Sequence, residues 1–224
     1  NVWRILRNEI DRKKIRRGGR FKMKKVMNVF AGLLIAGLFF NLTGCSKKEK
    51  VIKIGAVAAI TGDQAAIGQD LINGVAMAID EANASGGING IKFELYPLDD
   101  KADPKEAVNS AHKFAVDEDV LAVVGHLNSG CTIPASAVYH DAGLVMITPS
   151  ATNPAITGQG FENIFRVCVT DDIQGNSSGE FAVKKLKKTH IAIIHDKSAY
   201  GQGLAEEFKK SVTNLGAKVL SFEG

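Results

Sequence analysis

The sequence predicts an α/β fold over residues 51–224, a parallel sheet with helices packed against it. Three observations carry that prediction. Short β-branched runs alternate with stretches of helical period, the order produced by repeated βαβ units. The first run, 51–58, is apolar almost throughout, as a strand covered on both faces must be. Helix punctuation falls between the runs: Gly86-Gly87 stops one periodic stretch, and Asp103-Pro104 opens the next with an N-cap and a proline at its favoured first-turn position.

Taken in order, 51–58 is a strand and 67–84 a helix with Leu71, Val75, Ala78, Ile79 and Ala82 on one stripe. A strand at 92–98 precedes the helix opened by Pro104, whose apolar stripe is Val108, Ala111 and Ala115. Strand 120–125, helix 132–142 and strand 145–148 follow, then an extended run at 163–169. The polar segment 168–175 is expected to cross into a second α/β layer. Helix 174–186, strand 190–195, helix 200–215 and a strand from 218 build that layer. No internal repeat or low-complexity segment interrupts the pattern.

The N-terminal fifty residues have a different character. Met23-Lys24-Lys25, an apolar run from Val29 to Phe40, and Leu42-Thr43-Gly44-Cys45 form a secretory signal too short to span a bilayer. Small residues directly before a cysteine look like a bacterial lipobox, in which Cys45 is lipidated and becomes the new N-terminus. Several acyl chains then anchor durably where one would not. The rival reading, a buried helix, sits badly with the immediate change to Ser46-Lys47-Lys48-Glu49-Lys50, a solvated tether over 45–50. Residues 4–22 carry nine Arg or Lys against Glu9 and Asp11. Such a run can be an arm for nucleic acid or an anionic membrane. The preferred reading is a mistranslated leader at 1–22, upstream of a signal peptide at 23–44, because purine-rich codons for Arg16-Arg17-Gly18-Gly19-Arg20 resemble a ribosome-binding site.

The charge divides at the same place. Residues 1–50 hold 14 Lys or Arg and 3 Asp or Glu, so the net +4 of the chain conceals an acidic remainder with 14 against 21. The portion that folds therefore offers no support for nucleic-acid binding. It is long enough for one sizeable core.

In open α/β sheets ligands sit beyond the carboxyl ends of the strands, where helix N-termini present free N–H groups. Four loops occupy such ends: 60–68, 126–132, 149–154 and 196–201. Hydroxyls, small residues and main-chain N–H groups dominate them, a chemistry suited to a small carboxylate. For Ser129 and Thr152 helix N-capping is the alternative use of the hydroxyl.

Three of these loops, Gly125-His126-Leu127-Asn128-Ser129, Thr148-Pro149-Ser150-Ala151-Thr152-Asn153-Pro154, and the stretch from Ile194 through His195-Asp196-Lys197-Ser198-Ala199-Tyr200 to Gly203, resemble the branched-chain amino-acid binding proteins that serve ABC transporters. The likeness runs from 51 to 224. It implies a two-lobed fold of the periplasmic-binding-protein type, with a first lobe at 51–170 and a second that starts at 171 and is incomplete at 224. It also implies that Ser129 and Thr152, with main-chain groups at Ser150 and Ala151, hold the ligand carboxylate. The Ser150 carbonyl and Thr152 hydroxyl would meet the ammonium, and Tyr200 would cover the ligand. The implied partners are a branched-chain or similar small amino acid, an ABC permease in the inner membrane, and a lipid anchor at a periplasmic or cell-surface location. The resemblance implies no cofactor, no metal and no catalysis. The family's acidic partner for the ammonium is expected beyond Gly224, in the remainder of the second lobe.

Departures from the family pattern bear on the site. Ile67 stands where relatives have an aromatic residue near the ligand side chain. Ala102 and Asn128 occupy positions that carry a disulfide in relatives, leaving Cys131 and Cys168 as expected buried thiols or, alternatively, a new bridge. An extracellular amino-acid-sensing domain of a signalling receptor is the alternative function. Enzyme readings are weaker. His195-Asp196-Lys197-Ser198 has acid, base and hydroxyl, but sequence adjacency does not produce triad geometry. Gly201-Gln202-Gly203 lacks the third glycine of a dinucleotide loop, the histidines have no metal-like spacing, and Asp99-Asp100 and 117–119 read as solvated element ends.

Overall fold

A computed structural model describes residues 51–224. The expected leader at 1–22, signal segment at 23–44 and tether at 45–50, Cys45 included, lie outside the described residues. Five strands, β1 (Ile52–Ala58), β2 (Phe93–Asp99), β3 (Val120–Gly125), β4 (Val145–Thr148) and β5 (Ile164–Arg166), form a parallel sheet in the order β2-β1-β3-β4-β5. The chain moves outward from β1 to β2 and then returns past β1 to β3. The loops leaving β1 and β3 therefore diverge, and a crevice opens between them at the topological switch point.

Alternation along the central strands sends side chains to two cores. Val57, Val123 and Met146 face helices α2 (Pro104–Ala115) and α3 (Ser129–Asp141), where Ala107, Ala111, Phe114, Ala135 and Tyr139 close the layer. Ala56 faces the other way, with Val124 packed beside it, toward Ile72, Val75 and Ile79 of α1 (Ala65–Ala84). Residues buried on both sides of the sheet explain why β1 is apolar at all positions but Lys53, which pairs with Asp117 at the strand's start.

Local signals set several boundaries. Asp103 caps α2, its carboxylate accepting from the N–H groups of Lys105 at 2.8 Å and Glu106 at 3.0 Å. The buried face of that helix is Ala107, Ser110, Ala111 and Phe114, not the predicted Val108, Ala111, Ala115 stripe. Phe114 decides the rotation: its ring meets Tyr96 edge-on at 5.2 Å and lies so close to Gly55 that a Cβ there would come within 2.8 Å. Helix α3 begins at Ser129, three residues before the predicted start, which places Ser129 in its first turn. A single helical turn, α4 (Ala155–Gly158), was not foreseen.

A second parallel pair, β6 (His190–Ile194) and β7 (Lys218–Glu223), forms its own sheet, with α5 (Asp171–Glu180) and α6 (Ala199–Asn214) in the same layer system. Helix α5 starts earlier than predicted and passes into a π-helical turn at Phe181–Lys185. It packs tightly on α6 because Gly175 and Gly179 lack side chains; a Cβ at Gly175 would lie 2.6 Å from that of Glu207. Residues 51–224 lie within one compact unit.

Candidate functional site

Beneath the crevice lies a buried polar triad. Asp100, at the end of β2, and His126, at the end of β3, are fully buried and meet at 2.7 Å between Oδ2 and Nδ1, while His126 Nε2 lies 3.1 Å from the Tyr139 hydroxyl. Asp100 is thus not the solvated strand end that its sequence suggests. Burial, with the charge of Asp100, pushes the Tyr139 phenol well above its usual range. Neighbouring Asp99 behaves oppositely. Burial alone would raise its carboxyl, but the Thr61 hydroxyl and the N–H groups of Lys101 and Ile60 hold it below the ordinary value.

Hydroxyls then knit the loops above this layer together. Thr148 Oγ1 donates to the His126 carbonyl at 2.8 Å and accepts from the Ala151 N–H at 3.0 Å. Ser150 Oγ donates to the Leu127 carbonyl at 2.8 Å, and Thr132 Oγ1 to the Asn128 carbonyl at 2.9 Å. Asn128 reaches across the switch point, donating through Nδ2 to Gln64 Oε1 at 2.8 Å.

Ser129 and the 150–153 loop are brought together. Ser129 is 2 % exposed, and its Oγ accepts from the Asn153 N–H at 3.3 Å. It does not cap α3, whose N-cap position is Asn128. The Thr152 hydroxyl is buried without a hydrogen-bond partner, so it caps nothing either. Helix geometry leaves the first N–H groups of α3 without an intrahelical acceptor, and Ser129 stands at that end of the helix. Ala151 is buried with its N–H already committed to Thr148. Tyr200 sits in the first turn of α6, 43 % exposed. Its neighbour Ala199 joins α6 to the 150–153 loop, its carbonyl accepting from Asn153 Nδ2 at 3.0 Å.

Sequence reasoning missed two residues of this cluster. Arg166, from β5, donates through Nη1 to the Asn153 carbonyl at 2.8 Å and through Nη2 to Thr157 Oγ1 at 2.8 Å, fixing the loop from below. Asp171, the first residue of α5, donates its N–H to the Thr152 carbonyl at 3.0 Å and is fully buried. Burial pushes its carboxyl up, partly opposed by the Thr152 hydroxyl and the Arg166 charge; that hydroxyl is near enough to act electrostatically, yet it makes no well-formed hydrogen bond to the carboxylate. In sequence Thr170-Asp171-Asp172 looks like an ordinary helix start, and nothing in it signals burial.

An apolar groove of about 710 Å³ runs beside α1, lined among others by Ile67, Leu71, Val124, Leu127 and Pro149. Ser150 is where it adjoins the hydroxyl-rich loops; Ser129, Thr152 and Tyr200 are not part of it. The two thiols are free. Burial pushes Cys131 up to about 12, with help from Asp100 and Asp103, and raises Cys168 as well, so both are weak nucleophiles at neutral pH. His195, Asp196 and Ser198 each accept from a main-chain N–H of their own segment, Lys197, Ser198 and Gly201 respectively. Among the described residues no group of three or more His, Cys, Asp or Glu is placed to hold a metal ion.

Comparison with known proteins agrees with this architecture. A family model described as periplasmic binding protein matches residues 51–223. The chain is 43% identical over 202 residues to the Leu/Ile/Val-binding protein homolog 1 of Brucella abortus, covering 90% of this chain and 53% of that one. It is 42% identical over 201 residues to the leucine-, isoleucine-, valine-, threonine-, and alanine-binding protein of Pseudomonas aeruginosa, covering 90% and 52%. Its fold is similar to a leucine-binding protein of Thermotoga maritima, with a TM-score of 0.71 at 29% identity, covering 77% of this chain and 49% of that one. It is also similar to a branched-chain amino-acid transporter substrate-binding protein of Streptococcus pneumoniae solved with isoleucine, with a TM-score of 0.70 at 32% identity, covering 78% and 49%. The chain spans about half the length of the relatives it matches.

Proposed function

We propose, for a chain that belongs to the periplasmic binding protein family, that it is the substrate-binding component of ABC-type uptake of branched-chain or similar small amino acids. The observation that supports this most is the convergence of Ser129 at the first turn of α3 with the Thr152 loop, joined through the Asn153 N–H. Hydroxyls and helix N–H groups accept a carboxylate without a full counter-charge, and the helix dipole favours the anion. In this reading the ligand lies between lobes at 51–170 and 171–224. Ser129, Thr152 and the main chain at Ser150 hold the carboxylate, the Ala151 N–H being already bonded to Thr148, and Tyr200 closes over it. The upper end of the apolar groove, at Ile67 and Leu127, takes the aliphatic side chain. Relatives named for binding leucine, isoleucine and valine support the substrate class.

We further assign the lipid attachment to Cys45, which would hold the protein at the outer face of a membrane beside its permease. The test is uptake of radiolabelled leucine by cells that lack the gene, with and without the intact gene restored. Restored uptake is the expected result; uptake that stays at the deleted level would reject the transport reading.

A further inference from the structure

The hydrogen bond from Asn128 Nδ2 to Gln64 Oε1, 2.8 Å long across 64 residues of sequence, joins the residues at the N-cap positions of α3 and α1. Neither side chain caps its own helix. For Asn128 this is unexpected, because asparagine is among the strongest N-cap residues and its backbone already has the extended conformation that a cap requires. Asp103 and Ser198, with the same backbone conformation, do cap α2 and α6. Asn128 instead leaves its own Oδ1 buried and without a partner. Such an acceptor costs stability, and turning back to cap α3 would relieve it. At that helix end the Asn128 carbonyl already takes the N–H groups of Cys131 at 3.1 Å and Thr132 at 2.9 Å, while those of Ser129 and Gly130 meet no acceptor among the described residues.

We propose that Gln64 and Asn128 form a latch that holds the Asn128 side chain away from the end of α3 and so keeps that helix end open for the ligand carboxylate. The latch joins the two loops that diverge at the switch point. Its Gln64 side is anchored by the first turn of α1, where the Gln64 carbonyl accepts from the Gly68 N–H at 3.0 Å. Without the Gln64 acceptor, no other partner among the described residues holds the Asn128 amide in this orientation. Its Oδ1 then accepts the free N–H of Gly130, a usual partner of an N-cap side chain, and occupies a donor that the ligand would use. Cap and ligand exclude each other, so apparent affinity falls with the fraction of molecules whose helix end is uncapped. Both members are positioning residues, acting through the helix end. This rests on the amino-acid-binding reading above.

The test is calorimetry with leucine on the intact protein, on Gln64→Ala, and on Gln64→Ala combined with Asn128→Ala. Gln64→Ala is expected to bind leucine about three- to thirtyfold more weakly, the range set by an asparagine cap that is free to compete. Removing Asn128 as well takes the competitor away, so the double variant is expected to bind more tightly than Gln64→Ala alone. Full affinity in Gln64→Ala would overturn the proposal. So would a double variant as weak as Gln64→Ala or weaker, which is the result that loosened loop packing alone would give. Amide exchange in the absence of ligand supplies a second readout. The Gly130 N–H is expected to exchange more slowly in Gln64→Ala than in the wild type, and unchanged or faster exchange would also overturn the latch. A wild-type protein that binds no amino acid would instead reject the amino-acid reading itself, and the latch's use with it.

Discussion

The Ser129 hydroxyl accepts the main-chain N–H of Asn153 at 3.3 Å, across 24 residues of sequence. That contact ties the first turn of α3 to the loop after β4, and Asn153 in turn donates to the Ala199 carbonyl at the start of α6. Three elements that present polar groups at the strand ends are thus linked through one asparagine. Asn153→Ala should therefore weaken leucine binding through loss of loop geometry. Asn153→Asp, which keeps the acceptor for the Ala155 N–H but loses the donor to Ala199, separates the two roles. If calorimetry finds the aspartate variant equal to wild type, the link to α6 has no part in binding.

The Asp100, His126 and Tyr139 triad supports the switch-point loops, and removing Asp100 leaves His126 Nδ1 buried without its partner, whereas removing the Tyr139 hydroxyl leaves the Asp100–His126 contact in place. Asp100→Ala should cost about 3–5 kcal/mol of folding stability, whereas Tyr139→Phe, which loses a single hydrogen bond, should cost about 1 kcal/mol. Urea unfolding of both variants measures the contrast. Equal, small effects would show that the triad is not a buried unit.

Two carboxylates give opposite dependences on pH. The Asp99 carboxyl is held below its ordinary value, so it contributes stability that is present above the unfolded value of 3.8 and is lost as pH falls through the folded one. Asp171 is raised, so the native state keeps its proton longer than the unfolded chain does. Its contribution therefore turns unfavourable as pH climbs from 3.8 through the folded value. Asp99→Asn should lose stability at neutral pH and little in acid; Asp171→Asn should gain at neutral pH, with the gain disappearing in acid. Urea midpoints from about pH 3 to about pH 7 decide it, and parallel curves for the two variants would contradict both signs.

Much of this fold was legible in the sequence because its signals are local. Alternating β-branched and helical-period runs located the seven strands of the described residues, and Asp103-Pro104 marked a helix start that the structure realises with two capping hydrogen bonds. Facing was harder. The stripe on α2 was misassigned because periodicity weighs apolar residues alike, while the ring of Phe114, seated over Gly55, fixes which side turns inward. The polar interior was illegible for a different reason. Asp100 is buried by a partner 26 residues away that only the strand order brings beside it. Asp171 is enclosed by a helix that begins 28 residues later. Of the candidate site, the hydroxyls stood out by chemistry and position, whereas Asp171 and Arg166 depend on tertiary packing.

Lipid attachment at Cys45 is tested apart from the fold. Cys45→Ser should abolish incorporation of a palmitate analogue and leave the precursor uncleaved. Equal label in the variant and the wild type would remove the lipoprotein assignment without touching the binding site.

The central claim is that hydroxyls at the ends of β3 and β4 bind an amino acid, and calorimetry of the intact protein with leucine, isoleucine, valine and alanine tests it most directly. The account predicts saturable binding of the branched-chain ligands by the wild type. It also predicts losses of about one to two decades in Ser129→Ala and in Thr152→Ala. Binding that is unchanged in both variants, or a wild type that gives no heat with any of the four, would contradict it.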